Sequence, residues 1–408
     1  MKRSVHNNIK TIYMMGFFQS FMVVIPIFVP LLQGYGLSMS QVLQTQAIFA
    51  LTIALCEVPS GYFADICGRR RALLVGSVLN GFGFLSLLWA DTFFDFLVYE
   101  VILGVGLSLI SGADLALLYD SEVYLEKTGE RDGAGASKSL SRLISIEAAA
   151  SGIAGIGASL LLIWSLDWII WVQAAVGFIP LMLGLLLVEP PRVASESGHR
   201  ENAWKIVELL VFGKPVVLWT AFAITVFGLL SIYAFWIYQK YWELQNIPLE
   251  NFGYIWAAFA LTVSVSARYA ATLEQKIGSR RLLLIIACLP IIGLLGMAWS
   301  SGWFGVMFGF AIQIGRGISL SLFYEALNSR VPGDFRATVN SLVSLGMRGI
   351  FIVTGPLLGY LLDHQGMSNT LLIVAVIFAP LMLLVLLPLL TRIRSEVVEE
   401  TMPTVAAN

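Results

Sequence analysis

Seven charged residues lie deep inside apolar stretches of this chain: Glu57, Glu100, Asp114, Glu147, Arg268, Arg316 and Arg348. At the centre of a membrane span each would cost about 2.5–3.5 kcal/mol, and seven left unpaired would cost on the order of 20 kcal/mol. That exceeds the net stability of most folds. They must therefore pair with one another or line a hydrated cavity. Their types define the available chemistry. A carboxylate can take up and release a proton, and an arginine can fork onto a carboxylate or phosphate. The signs are segregated, with the acids in the first half of the chain and the arginines in the second. Either Asp114 or Glu147 pairs with Arg316 or Arg348, or the site binds an anion or a zwitterion.

The positioning elements follow from hydropathy. Of the 408 residues, 58% are hydrophobic and 12% charged, and the mean hydropathy is +0.82. A soluble domain of this size carries about a quarter charged residues, so most of this surface is expected to meet lipid. Twelve apolar runs read as transmembrane helices, at 11–33, 42–66, 71–90, 94–121, 138–164, 167–188, 214–240, 250–274, 281–300, 302–328, 336–362 and 369–391. The expected fold is an all-α polytopic membrane protein. A polar, proline-bearing stretch at 189–213 divides it into a bundle over 1–188 and a bundle over 214–408. Of the 25 Lys and Arg, all but Lys240 and the intramembrane Arg268, Arg316 and Arg348 fall on one side of the array. The positive-inside rule then places both termini and the linker in the cytoplasm. The first run reads as an uncleaved helix, because it spans about 20 residues with no small-residue cleavage site after it. There is no N-x-S/T sequon, and a bacterial cytoplasmic (inner) membrane fits.

Helical spacing groups the polar residues. Glu100, Gly104, Ser111 and Asp114 form one stripe on the fourth span if that span is continuous. Arg316 shares a face with Gln313 and Ser319, and Arg348 with Ser341 and Ser344. Gln19 sits at mid-depth in the first span. Tyr233 and Trp236 sit in the outer half of the seventh, as packing or as ligand contacts. Cys56, Cys67 and Cys288 lack metal spacing and read as reduced packing residues, and no histidine is placed for buried chemistry. A net charge of −1 gives no basic surface for nucleic acid.

The halves repeat. GYFADICGRRRALLV (61–75) aligns with ATLEQKIGSRRLLLI (271–285), matching Gly68 to Gly278. GADLALLYDS (112–121) aligns with GISLSLFYEA (317–326). A duplicated six-helix unit resembles the major facilitator superfamily (MFS) of transporters, and GYFADICGRR resembles that superfamily's signature between its second and third spans. The resemblance implies a 12-helix MFS fold, with spans one, four, seven and ten lining a cavity at mid-membrane. It also implies a cytoplasmic latch formed by Gly61, Asp65, Gly68, Arg69 and Arg70 with Asp120 at the inner end of span four. Glu57 lies one turn before Gly61, beside that latch. Two departures are clear. Glu100 stands where many proton-coupled members carry an arginine, and the Gly-Pro signature of drug antiporters is missing from SGIAGIGAS (151–159).

The expected function is alternating-access movement of a small organic solute, driven by the proton gradient, with efflux favoured. The candidate substrate and coupling residues are Asp114, Glu147, Arg316, Arg348, Glu100, Gln19, Tyr233 and Trp236. Uptake or facilitated passage of an anionic or zwitterionic metabolite is the alternative. A membrane enzyme or scaffold is the alternative of another class. No cofactor, metal or catalytic residue is expected. The expected partners are the solute and the lipid bilayer, with the chain a monomer.

Overall fold

The computed structural model of the chain describes residues 2–129, 135–191, 215–332 and 335–401; the expected linker from 192 to 213 lies outside them. The described residues are helical apart from turns. In chain order the helices are α1 (Lys2–Ser20), α2 (Phe28–Gly34), α3 (Met39–Cys67), α4 (Arg69–Ser86), α5 (Phe93–Ile110), α6 (Ala113–Lys127), α7 (Gly135–Leu162), α8 (Leu166–Gly177), α9 (Ile179–Gly184), α10 (Pro215–Leu244), α11 (Phe252–Ile277), α12 (Ser279–Trp299), α13 (Gly302–Arg330) and α14 (Arg336–Thr401). Lipid supplies no hydrogen bonds, so a spanning backbone must satisfy its own, and the helix does that.

Among the described residues, ten helical stretches are long and apolar enough to cross a membrane. The last, Thr338–Thr391, is 54 residues long and turns at Gly366, where φ is 75°. α11 has 26 residues but carries Arg268, Glu274 and Lys276, and is not among the ten.

Two spans expected as continuous helices are broken. The first stops at Ser20, passes through a short 3-10 turn at Ile25–Ile27 and restarts at Phe28. Pro26 stands in that turn, and the backbone N–H of Val24 is taken up by the Gln173 side chain of α8 (3.4 Å). The fourth span stops at Ile110. Ser111 leaves the helical region, Gly112 adopts φ 87°, and α6 begins at Ala113. A side chain at that φ is strained, so glycine is the residue that permits the turn.

The chain forms two compact units. The first comprises Met1–Ser195 with Asn246–Ala260 and Phe351–Asp363. In it α4 packs against α3, α5, α8 and α9, and α1 packs against α6, α7 and α9. Val5, Ile9, Leu73, Leu117, Leu125 and Leu187 are buried together there. Within the same unit Asp363 accepts from the N–H groups of Met39 (2.9 Å) and Ser40 (2.8 Å), capping α3 alongside Ser38. The second unit comprises Glu196–Gln245, Leu261–Ile350 and His364–Asn408, and its described core packs α13 against α10 and α12.

Candidate functional site

The turn between α3 and α4 is built on Gly68, whose φ of 106° ends one helix and starts the next. Glu189, the residue just after the sixth span, caps α4. Its two carboxylate oxygens accept from the backbone N–H of Arg69 (3.0 Å) and of Arg70 (2.9 Å). A carboxylate at a helix N-terminus satisfies orphan donors and meets the positive end of the dipole. The Arg69 guanidinium donates to the Asp120 carboxylate and, at 2.6 Å, to the Ala116 carbonyl. Asn8 of α1 stands behind both partners. It donates to Ser121 Oγ (3.1 Å) and to the Val188 carbonyl (2.7 Å), and accepts from the Val188 N–H (3.0 Å). At 1% exposure, Asn8 has its amide nitrogen and its oxygen both bonded inside the protein. Gly61 and Asp65 are exposed, and Glu57 is half-buried two residues before Pro59 within α3.

Beside the break in the fourth span sits a pair of acids. Asp114 lies in the first turn of α6 and its Oδ1 accepts from the Leu115 N–H (2.6 Å). Glu147 of α7 is near enough to feel the charge of Asp114. Gly16 of α1 abuts Glu147, since a Cβ added there would lie 3.2 Å from Glu147 Oε1 and 2.6 Å from Leu143 Cδ1. One helical turn along α1, Gln19 is half-buried and its Nε2 has no hydrogen-bond partner among the described residues. Arg142, one turn before Glu147 on the α7 side, lies over the Tyr13 ring at 5.5 Å. Ser111 and Gly112 are exposed, and no atom of the described residues lies within 4 Å of a Cβ built on Gly112.

Glu100 is elsewhere. The break at Ser111–Gly112 removes the single stripe expected to join Glu100 to Asp114. Glu100 is 3% exposed and takes a hydrogen bond from the Gln46 side chain, in the seam between α3 and α5. Gly104 closes that seam, because a Cβ there would lie 2.8 Å from Thr52 Cβ.

In the second unit Arg316 is half-buried on α13, with Gln313 one turn before it and Tyr238 of α10 near enough to feel its charge. The Tyr238 hydroxyl donates to the Gly309 carbonyl (3.3 Å). Arg348 is half-buried on α14 and Arg268 is exposed on α11. Tyr233 and Trp236 are both buried, with Tyr233 edge-on to Phe378 (5.7 Å) and Trp236 against Phe235 (4.7 Å). Those rings pack, and their hydrocarbon faces are spent on aromatic neighbours.

Broken spanning helices with polar side chains at mid-span are found in membrane transporters. The Major Facilitator Superfamily model matches residues 11–350 and 245–403, and the chain belongs to that family. No curated protein sequence matches it. Among solved structures, a point mutant of the nucleoside transporter NupG superposes with a TM-score of 0.72 at 12% identity, covering 93% of this chain and 98% of that one. A bacterial homologue of the human lysosomal transporter Spinster, inward-facing and unoccupied, gives 0.70 at 15% identity, covering 94% and 96%. A D-xylose–proton symporter gives 0.69 at 13% identity, covering 94% and 97%. At these identities the likeness establishes the fold alone.

Several residues that matter here escaped the sequence. Glu189 and Asn8 act across 120 and 180 positions. Gln46 acts across 54. Gly16 is one of many glycines in apolar runs and carries no local signal. For the first-span break, Pro26 was the available sign.

Proposed function

We propose that this chain is a proton-driven secondary transporter that moves a small organic solute across the bacterial cytoplasmic membrane by alternating access. In this reading it makes twelve passes, counting α14 as two and α11 as one, with both termini cytoplasmic, and it works as a monomer without cofactor. The halves over 1–188 and 214–408 are its two moving bundles. The observation that carries the reading is the break in the fourth span, which sets Asp114 in the first turn of α6, with Glu147 of α7 against Gly16 of α1 and the unpartnered Gln19 Nε2 one turn along that helix. A carboxylate can take up and release a proton, and what stands around it decides which form is held. Asp114 is the primary coupling group and Glu147 the second. Arg69 with Asp120, capped by Glu189 and backed by Asn8, is the gate. Family membership supports transport, and the D-xylose–proton symporter among the structural neighbours supports the proton as driving ion.

The test is solute-dependent proton movement in proteoliposomes loaded with a pH-sensitive dye, across a panel of sugars, nucleosides, organic acids and amines. Wild type should move protons with at least one solute. Asp114→Asn should stop proton movement while leaving downhill exchange of that solute. The same assay fixes direction, because export by antiport and uptake by symport move protons in opposite senses relative to the solute. Proton movement that persists undiminished in Asp114→Asn and in Glu147→Gln contradicts the assignment.

A further inference from the structure

Arg316 is held in a narrow setting. Gly315 and Gly317 on either side of it are close-packed: a Cβ on Gly315 would meet the Pro290 ring at 3.2 Å, and one on Gly317 would meet the Val263 carbonyl at 2.5 Å and Ser266 Cβ at 2.8 Å. α11 and α12 therefore press on α13 at those two positions, and Arg316 leaves along the face that carries Gly309 and Gln313, toward Tyr238 of α10. Among the described residues no carboxylate lies within ion-pair distance of the guanidinium, and none of its N–H groups has an acceptor. An arginine carries five donors in a planar fork. Leaving them unmet at mid-span is costly.

A second observation points the same way. Gln313 is 6% exposed, and although its side chain bonds to Tyr238, its Oε1 has no hydrogen-bond partner among the described residues. Residues three apart on a helix are neighbours, with Cβ atoms about 5–6 Å apart. The face therefore presents a forked cationic donor and, one step away, a buried acceptor. A neutral sugar would leave the fork without its charge partner, and an amine would be repelled by it. A simple carboxylate would meet Arg316 but leave Gln313 unmet.

We propose that Arg316 and Gln313 are the recognition residues for a small organic acid that bears a hydroxyl or amino donor next to its carboxylate, the carboxylate forking onto Arg316 and the donor reaching Gln313 Oε1. Tyr238 stands beside this face, bonded to the Gln313 side chain and to the Gly309 carbonyl. The inference rests on the transporter reading above and names the solute class for it.

The experiment uses the full chain purified in detergent and follows its melting temperature with millimolar glycolate, L-lactate, L-serine, propionate, glycerol 3-phosphate, glycerol or ethylamine. Ligands that bind the folded state raise the melting temperature by mass action. Glycolate, L-lactate or L-serine should stabilise the protein, propionate less so, and glycerol and ethylamine not at all. Arg316→Lys should weaken the effective acid by about tenfold or more, because an ammonium cannot fork. Arg316→Gln should abolish the shift, and Gln313→Leu should erase the preference for the donor-bearing acid over propionate. Size-exclusion profiles of the unliganded variants certify that each is folded. The proposal is overturned if no acid shifts the wild type, if glycerol 3-phosphate alone does, or if a folded Arg316→Gln keeps the acid-dependent shift. Failure here is separable from failure of the transporter reading. Proton movement driven by a neutral solute and stopped by Asp114→Asn would sink this assignment and leave the transporter standing.

Discussion

The turn at Gly68 and the turn at Gly278 are the same piece of backbone in two different settings. Both glycines adopt positive φ, 106° and 84°, and each ends one helix and starts the next. Around Gly68 the side chains close in. Glu189 lies 3.4 Å from a Cβ built on it, caps α4 and leaves Arg69 free to reach Asp120. Around Gly278 no atom of the described residues lies within 4 Å of such a Cβ. Ser279 stands where the repeat puts Arg69, and its hydroxyl donates to Glu274 (2.6 Å). Glu325, which matches Asp120, is exposed. Duplication copied the fold of the turn, and among the described residues the ion pair, the carboxylate cap and the asparagine behind them stand at the Gly68 copy. The lesson is that the backbone uses glycine at both positions, whereas the polar cluster differs between them.

That contrast can be broken in graded steps. The largest effect on stability is expected from Asn8→Ala, which strips three hydrogen bonds, one buried and two part-buried, from the Gly68 side. At about 1 kcal/mol each, it should lose about 3 kcal/mol, read as a lower melting temperature in detergent. Glu189→Ala comes next. It uncaps the first two N–H groups of α4 and should lose about 1–2 kcal/mol, while Glu189→Asp recovers part of that loss. Arg69→Ser makes the first turn resemble the second. The pair is 23% and 21% exposed, so its loss should lower stability by no more than about 1 kcal/mol. Solute exchange in proteoliposomes should nevertheless slow, because the gate reading assigns the pair to the transport cycle and not to the fold. The smallest effect is expected from Ser279→Arg, which gives the second turn a partner for Glu325. An exposed pair adds a few tenths of a kcal/mol at most, and exchange rates should be unchanged. If Ser279→Arg slows exchange as much as Arg69→Ser does, the two turns are not functionally distinct.

What the sequence showed and what it hid divide along sequence distance. Apolar runs, the Gly68–Gly278 repeat and the GYFADICGRR motif are local patterns, and they pointed to an all-helical membrane transporter of this family, as the family match and the structural neighbours bear out. The break at Ser111–Gly112 was hidden because Gly112 also suits a close helix contact, and only its backbone angles tell a turn from a packing glycine. That one turn moves Glu100 from the expected stripe into the seam with Gln46. Glu189 was read as the start of a linker, since nothing in EPPR announces a helix cap 120 residues back along the chain. Polar residues at helical spacing were found as candidates. Whether each is satisfied, as Asn8 is, or left wanting at one atom, as Gln19 and Gln313 are among the described residues, is a property of the packed structure.

The central claim is that the acid pair at the span-four break couples protons to solute. The direct measurement is solute accumulation in proteoliposomes with and without an imposed pH gradient, for wild type and Asp114→Asn, using any solute the wild type moves. The account predicts gradient-driven accumulation by wild type, and only equilibration of the same solute by Asp114→Asn. Accumulation by a folded Asp114→Asn at the wild-type level would contradict it.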